Sequence, residues 1–332
     1  MRILIIGAGS VGKRHLNNFR ELGVDALGAV DTREDRRREI AERFSSVRVH
    51  PRLDDALSEG YDAAVVCTPT AFHTDAARRS LMAGTHVLME KPISDRLEGV
   101  AETLALARQR QRVYMVGYTY RFWPPLQAAH DLLSRGAIGR PLFADITFSQ
   151  YLPDWHPWED YRDWFMSSRE QGGGALLDES HAVDMARWLL GDITHVSCRT
   201  GNLSTLQMTA DDFAQFTVAI APDMLATIHV DVFGRQSRRT LSVTGELGNL
   251  HVDISQGEIQ VYDVASQSVQ TISIASERNE MFLSEARHFL SCIRDGAAPC
   301  VSGEDALETL RVCLAGRESS DAHREVALKD GR

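Results

Sequence analysis

A glycine-rich turn near the start of the chain restricts the fold more than any other segment. Gly7-Ala8-Gly9-Ser10-Val11-Gly12 follows the apolar run Ile3-Leu4-Ile5-Ile6 and opens a helical pattern from Val11 to about Leu22. Strand, tight turn and helix in that order begin a dinucleotide-binding parallel sheet. Gly7 makes the turn, Gly9 admits a pyrophosphate close to the backbone, and Gly12 brings the helix against the strand. Ala8, Ser10 and Val11 complete a cradle of unpaired helix-terminal amides that attracts an anion. A second strand, Ala26-Leu27-Gly28-Ala29-Val30, ends at Asp31, about 20 residues after the last glycine, where a carboxylate accepts from the adenosine ribose and repels a 2′-phosphate. The acid favours NAD; Arg33, two residues on, is the group that would instead clasp the 2′-phosphate of NADP.

Up to about residue 119, apolar strands alternate with amphipathic helices. Ala63-Ala64-Val65-Val66-Cys67, His86-Val87-Leu88-Met89 and Val113-Tyr114-Met115-Val116 read as strands, with helical patterns near His73 to Ala83 and Arg96 to Arg110 between them. This predicts a doubly wound parallel sheet with ligands at the carboxyl ends of its strands, where Thr68, Pro69, Glu90, Lys91 and Tyr118 lie. Beyond residue 120, alternating stretches follow one another without helices between them. Leu142 to Gln150, Phe213 to Ile220, Leu225 to Val232 and Glu258 to Tyr262 predict a large, mostly antiparallel open sheet. The expected fold class is α/β, with a Rossmann domain over residues 1–119. An α+β domain for substrate binding and oligomerisation spans residues 120–332 and closes with helices near Met281 to Arg294 and Gly303 to Ser319.

The net charge of −10 gives no general attraction for nucleic acid or anionic lipid, and no stretch is apolar enough to span a membrane. The first strand leaves no room for a secretory leader. Five scattered cysteines without a CxxC pair suit reduced thiols in a cytoplasm and argue against a structural metal.

The ordered set of segments resembles the Gfo/Idh/MocA oxidoreductases, named for glucose-fructose oxidoreductase and inositol dehydrogenase. It comprises Gly7 to His15, Thr68-Pro69-Thr70 through His73 to Val87, Glu90-Lys91-Pro92, Arg121 and Gly136 to Pro141. Further on it includes Gly172 to Gly191, Gly245 to Gly248, and the close from Phe289 through Ser302-Gly303-Glu304-Asp305-Ala306. The resemblance runs nearly end to end. It implies nicotinamide-dependent redox chemistry on sugars and cyclitols, and a homodimer or homotetramer built through the C-terminal sheet.

By the same resemblance Lys91 matches the family's functional lysine, and His181 its histidine, with Asp184 and Trp188-Leu189-Leu190-Gly191 following at the usual distances. Pro92 disfavours helical geometry at Lys91 and holds it extended at a strand end. An ammonium there stabilises a developing alkoxide, and a histidine suits proton transfer near neutral pH. Asp178 lies three residues before His181 rather than the commoner four. Both spacings share a helix face, and the alternative role for Asp178 is a helix N-cap. His73 caps or packs near the cofactor. The segment from Tyr151 to Trp164 mixes aromatics with charges, which suits a sugar or, equally, a lid or oligomer contact. Trp155, Trp158 and Arg162 there, with Tyr118 and Arg121, are the candidate substrate contacts. The expected reaction is hydride transfer between NAD and a secondary alcohol or ketone of a sugar, cyclitol or sugar derivative such as a nucleotide sugar. The other readings are reduction of an imine or unsaturated bond, and a nicotinamide-binding regulator without chemistry.

Overall fold

The structure is a computed structural model in which residues 1–328 are described. The chain divides into two compact units, Met1–Thr119 with Asn279–Leu307, and Tyr120–Arg278 with the residues from Glu308 onward.

The first unit is built on six parallel strands: β1 (Arg2–Ile6), β2 (Ala26–Val30), β3 (Arg48–His50), β4 (Ala63–Val66), β5 (His86–Met89) and β6 (Tyr114–Val116). Their order, β3-β2-β1-β4-β5-β6, reverses direction between β1 and β4, which is where an open sheet of this kind opens a crevice for a ligand. β1 and β4 are central and apolar without alternation, and Ile3, Leu4, Ile5 and Ala63 through Val66 have no exposed surface. β3 is the strand that the sequence pattern does not announce, because Arg48 and His50 flank a single valine. At the head of the sheet Gly7 has φ +101°, and a Cβ on it would stand 2.5 Å from the Cys67 carbonyl oxygen. A Cβ on Gly12 would overlap the Gly7 carbonyl oxygen, so the helix Ser10–Glu21 can approach the turn only because residue 12 has no side chain.

Asn279–Leu307 belongs with this unit, not with the second domain to which the sequence pattern assigned it. Val116 donates its amide to the Val301 carbonyl at 3.0 Å, and Met115 forms an antiparallel bridge with Ser302. The returning chain thus satisfies the free edge of β6, and Gly303 packs against Leu104 and Tyr114 without room for a side chain. The helix Arg278–Asp295 leans on the helix Ser10–Glu21, with the Arg14 guanidinium 4.3 Å from the Phe282 ring centroid and Asn279 donating to Asn18 at 3.0 Å.

The second unit carries nine strands: β7 (Pro141–Tyr151), β8 (Ile193–Gly201), β9 (Phe213–Ile220), β10 (Met224–Asp231), β11 (Phe233–Gly245), β12 (Gly248–Asp253), β13 (Glu258–Asp263), β14 (Ser268–Ser273) and β15 (Val326–Ala327). Their order is β14-β13-β12-β11-β7-β10-β9-β8-β15, antiparallel except for the β10–β7 pair. One face packs against the helices Pro124–Ser134, Ala175–Asp178 and His181–Leu190. Phe148, Phe216, Val218, Ile228 and Val230 lie on that face and are fully buried or nearly so. The two-residue period sends most of the apolar residues between Phe213 and Val232 under the helices and leaves Leu225 on the opposite face. The other face carries Gln215, Thr217, Thr227, His229 and Asp145, joined by bonds such as Thr227 Oγ1 to Asp145 Oδ2 at 2.6 Å and His229 Nδ1 to Gln215 Oε1 at 2.9 Å. Its large apolar members are Phe143 and Leu225, which are register partners and stand about half exposed.

Candidate active site

In the first unit the expected cofactor residues converge at the carboxyl ends of β1, β2, β4 and β5. Asp31 is buried beneath the glycine turn: Oδ2 accepts from the Ala8 amide at 2.9 Å and Oδ1 from the Arg33 amide at 2.9 Å. The acid therefore braces the glycine turn. The Arg33 guanidinium is exposed and forks onto Asp35 at 3.1 and 2.5 Å. Arg36 Nη1 lies 3.6 Å from Asp31 Oδ2 and 3.8 Å from where a Cβ on Gly9 would stand, and Arg37 Nη1 donates to the Asp31 carbonyl at 2.9 Å. Nothing in the sequence spacing separates Arg36 from Arg37 and Arg38. Gly9 caps the helix Ser10–Glu21 without any side-chain hydrogen bond, so the first-turn amides are available to an anion. These residues fit a dinucleotide.

Two histidines fasten the strand ends on either side of Lys91. His73 is buried, with Nδ1 2.8 Å from the Pro92 carbonyl and Nε2 2.9 Å from the Thr68 carbonyl, so it staples the turn after β4 to the turn after β5. Burial lowers its basicity, against the pull of the two carbonyls. His15, three residues after Gly12 on the buried side of its helix, places Nε2 2.7 Å from Glu90 Oε1. Burial acts to raise the Glu90 carboxyl, but the His15 hydrogen bond and the charges of His15, Lys91 and His73 outweigh it and hold it below the usual carboxylate range. Lys91 is half-buried and joined to Pro92 by a cis peptide. Tyr118 is fully buried.

In the second unit Asp178 and His181 lie on two helices and not on the one face that their spacing suggested. Ala175–Asp178 and His181–Leu190 are separate helices, and Ser180, not Asp178, occupies the N-cap position of the second. Asp178 and His181 are both half-buried, and the His181 ring meets Tyr120 edge-on, with centroids 4.9 Å apart. Sequence reasoning missed Arg239. It reaches from β11 on the helix-covered face, donating to the Tyr120 hydroxyl, to Gln150 Oε1 at 2.8 Å and to Glu179 Oε1 at 3.2 Å. Burial opposes its charge, but Tyr120, Glu179 and Asp178 more than offset that. Strand parity carries the missed signal: Arg239 shares the inward positions of Leu241 and Val243, where an arginine requires buried acceptors.

Arg121, expected as a substrate contact, is committed elsewhere. Its guanidinium grips Asp184 in two bonds, Nε to Oδ2 at 3.0 Å and Nη2 to Oδ1 at 2.6 Å, with both residues buried. Arg162 is an exposed surface group paired with Asp160. It borders an open polar recess of about 530 Å³ with Trp164, Ser168 and Gln207; Lys91, Asp178 and His181 do not line it. Trp158 is 73% exposed and stacks on His156. Trp155 is half-buried, and its indole N–H and that of Trp164 are buried donors with no protein acceptor among the described residues.

A dinucleotide cradle at the head of a doubly wound parallel sheet is the build of an NAD(P)-dependent oxidoreductase. Residues 1–118 match the family described as oxidoreductase family, NAD-binding Rossmann fold, and residues 126–251 match the GFO/IDH/MocA C-terminal domain. The chain belongs to the GFO/IDH/MocA oxidoreductase family. Among its relatives, myo-inositol 2-dehydrogenase of Thermotoga maritima is 26% identical, with 99% of each chain covered. The scyllo-inositol 2-dehydrogenase (NAD(+)) of Bacillus subtilis is 25% identical over 96% of this chain and 94% of its own. A solved levoglucosan dehydrogenase in complex with NADH and levoglucosan superposes with a TM-score of 0.89 at 20% identity, covering 99% of this chain and all of the other. Among the described residues no helix is long and apolar enough to cross a membrane.

Proposed function

We propose that the protein oxidises a secondary alcohol of a sugar or cyclitol, with NAD preferred over NADP. The observation that supports this most is the setting of Lys91. It extends from β5, in the sheet whose first turn is the dinucleotide cradle, and its neighbours Glu90 and Pro92 are held by His15 and His73. Relatives named as inositol dehydrogenases support the substrate class. When bound, the nicotinamide supplies the hydride acceptor. The remaining work falls to side chains. The Lys91 ammonium donates to the substrate oxygen and stabilises the negative charge that grows there. The His181 imidazole takes the hydroxyl proton, Asp178 tunes it, and the same groups return a proton in ketone reduction.

The test is a screen for NADH formation over inositols, aldoses, sugar acids, amino sugars and nucleotide sugars. Turnover with at least one polyol, and tighter binding of NAD than of NADP, is the expected result. Asp31→Ser should narrow that difference, because it removes the repelling carboxylate and leaves Arg36 beside the ribose position. Equal affinities in the unmodified protein would sink the cofactor assignment, and reduction of an imine substrate alone would replace the alcohol reading.

Self-association through the open face of the nine-stranded sheet is the assembly we expect, since Phe143 and Leu225 leave apolar surface beside a polar ladder that a second copy can match. Light scattering at micromolar concentration should report a dimer or tetramer, and Phe143→Lys with Leu225→Lys should dissociate it. A monomeric parent protein would refute this.

A further inference from the structure

The helix Arg278–Asp295 turns a carboxyl into the first unit that the proposed reaction does not use. Glu285 has no exposed surface, and neither of its oxygens has a hydrogen-bond partner among the described residues. It faces Glu90 across Gly117: a Cβ on Gly117 would stand 3.4 Å from Glu285 Oε1 and 3.5 Å from Glu90 Oε2. Glu90 is well supplied. Oε1 meets His15 Nε2 at 2.7 Å, and Oε2 lies 3.4 Å from the Lys91 amide. The other titratable groups at this point are the Cys67 thiol after β4, which with His15 and Glu90 brings its polar atom within 4.8 Å of theirs, and the more distant charges of Lys91 and His73. Two ionised carboxylates cannot share so dry a site, so one must keep a proton. Glu90 has the donors and the cations, which leaves the proton to Glu285.

We propose that Glu285 is a positioning residue for the redox site: it holds a proton beside Glu90, so that one negative charge, on Glu90, fastens the Lys91 strand end to His15. Burial, reinforced by the Glu90 charge, pushes Glu285 well above the usual carboxylate range, and burial with both acids also pushes up the Cys67 thiol. The consequence for stability has a definite sign. A carboxyl raised in the folded state contributes fully below its unfolded value of about 4.3, and that contribution is lost as the pH rises through the folded value. Glu285→Gln should therefore flatten the loss of stability toward alkaline pH.

The inference rests on the role given to Lys91, so its test reads protonation separately from turnover. The infrared spectrum of the unmodified protein at pH 7 should contain a deuterium-sensitive C=O band of a protonated carboxyl, and Glu285→Gln should remove it. The glutamine variant, a neutral mimic, should keep NAD affinity and turnover. Glu285→Leu should keep NAD affinity but lose about 10- to 100-fold in kcat, the cost of a catalytic group displaced by about 1 Å. If the leucine variant does not fold, the infrared band and the glutamine variant decide. An unchanged band in Glu285→Gln, or a glutamine variant without activity, overturns the proposal. Failure of the dehydrogenase reading alone would leave the infrared result standing.

Discussion

Lys91→Ala and His181→Ala should each lower turnover by about 10²- to 10⁴-fold, the usual worth of a positioned acid, base or charge stabiliser. Neither change should unfold the protein, because both side chains are only half-buried. The combined variant should lose less than the product of the two, since both groups act in one proton-transfer step. The histidine variant should bind NAD as before, as its ring lies in the unit that lacks the glycine cradle and packs edge-on to Tyr120. Asp178→Asn refines the assignment. Ser180 holds the N-cap position, so asparagine cannot preserve activity by capping, and a fall in turnover with a shifted pH profile would mark Asp178 as the group that tunes the imidazole. Near-normal turnover in His181→Ala would transfer the proton to another carrier, with Lys91 the next to test.

Asp184→Ala should destabilise the second unit by about 3–5 kcal/mol, because it leaves the Arg121 guanidinium buried without its carboxylate. The pair matters beyond stability: Asp184 sits three residues after His181 on the same helix and also faces the Thr309 hydroxyl at 3.4 Å, so it fixes the helix that presents the histidine. Arg121→Met with Asp184→Leu, which removes both charges, should recover much of the loss, as buried pairs exchanged for apolar residues often do. Urea unfolding followed by tryptophan fluorescence is the measurement, since all five tryptophans lie between residues 120 and 278 and report the second unit alone. A loss of less than about 1 kcal/mol, the range of exposed pairs, would mean that the guanidinium finds water once its partner is gone.

What was legible in the chain was what nearest neighbours decide. The glycine turn, the strand ending at Asp31, the lysine before a proline and the change from helix-separated to consecutive strands are written in residues a few places apart. Their geometry follows from sterics and from periods of two and 3.6 residues. The family could be read for the same reason, since its marks are short segments in a fixed order. Tertiary structure decided the rest. Arg36 rather than Arg33 stands beside Asp31 because a helix turns one arginine inward and leaves the other paired to Asp35. The helix between Asp178 and His181 breaks although the local pattern reads through it. The segment Asn279–Leu307 returns to the first sheet because β6 has an edge to be satisfied, and it brings Glu285 to Glu90 across nearly two hundred positions of chain. Alternation in the second sheet showed that it has two unlike faces, but only the packed helices determined which was covered. Local sequence constrains dihedral angles and periods; which buried charges meet depends on contacts between segments far apart in the chain, and these exist only once the chain has folded.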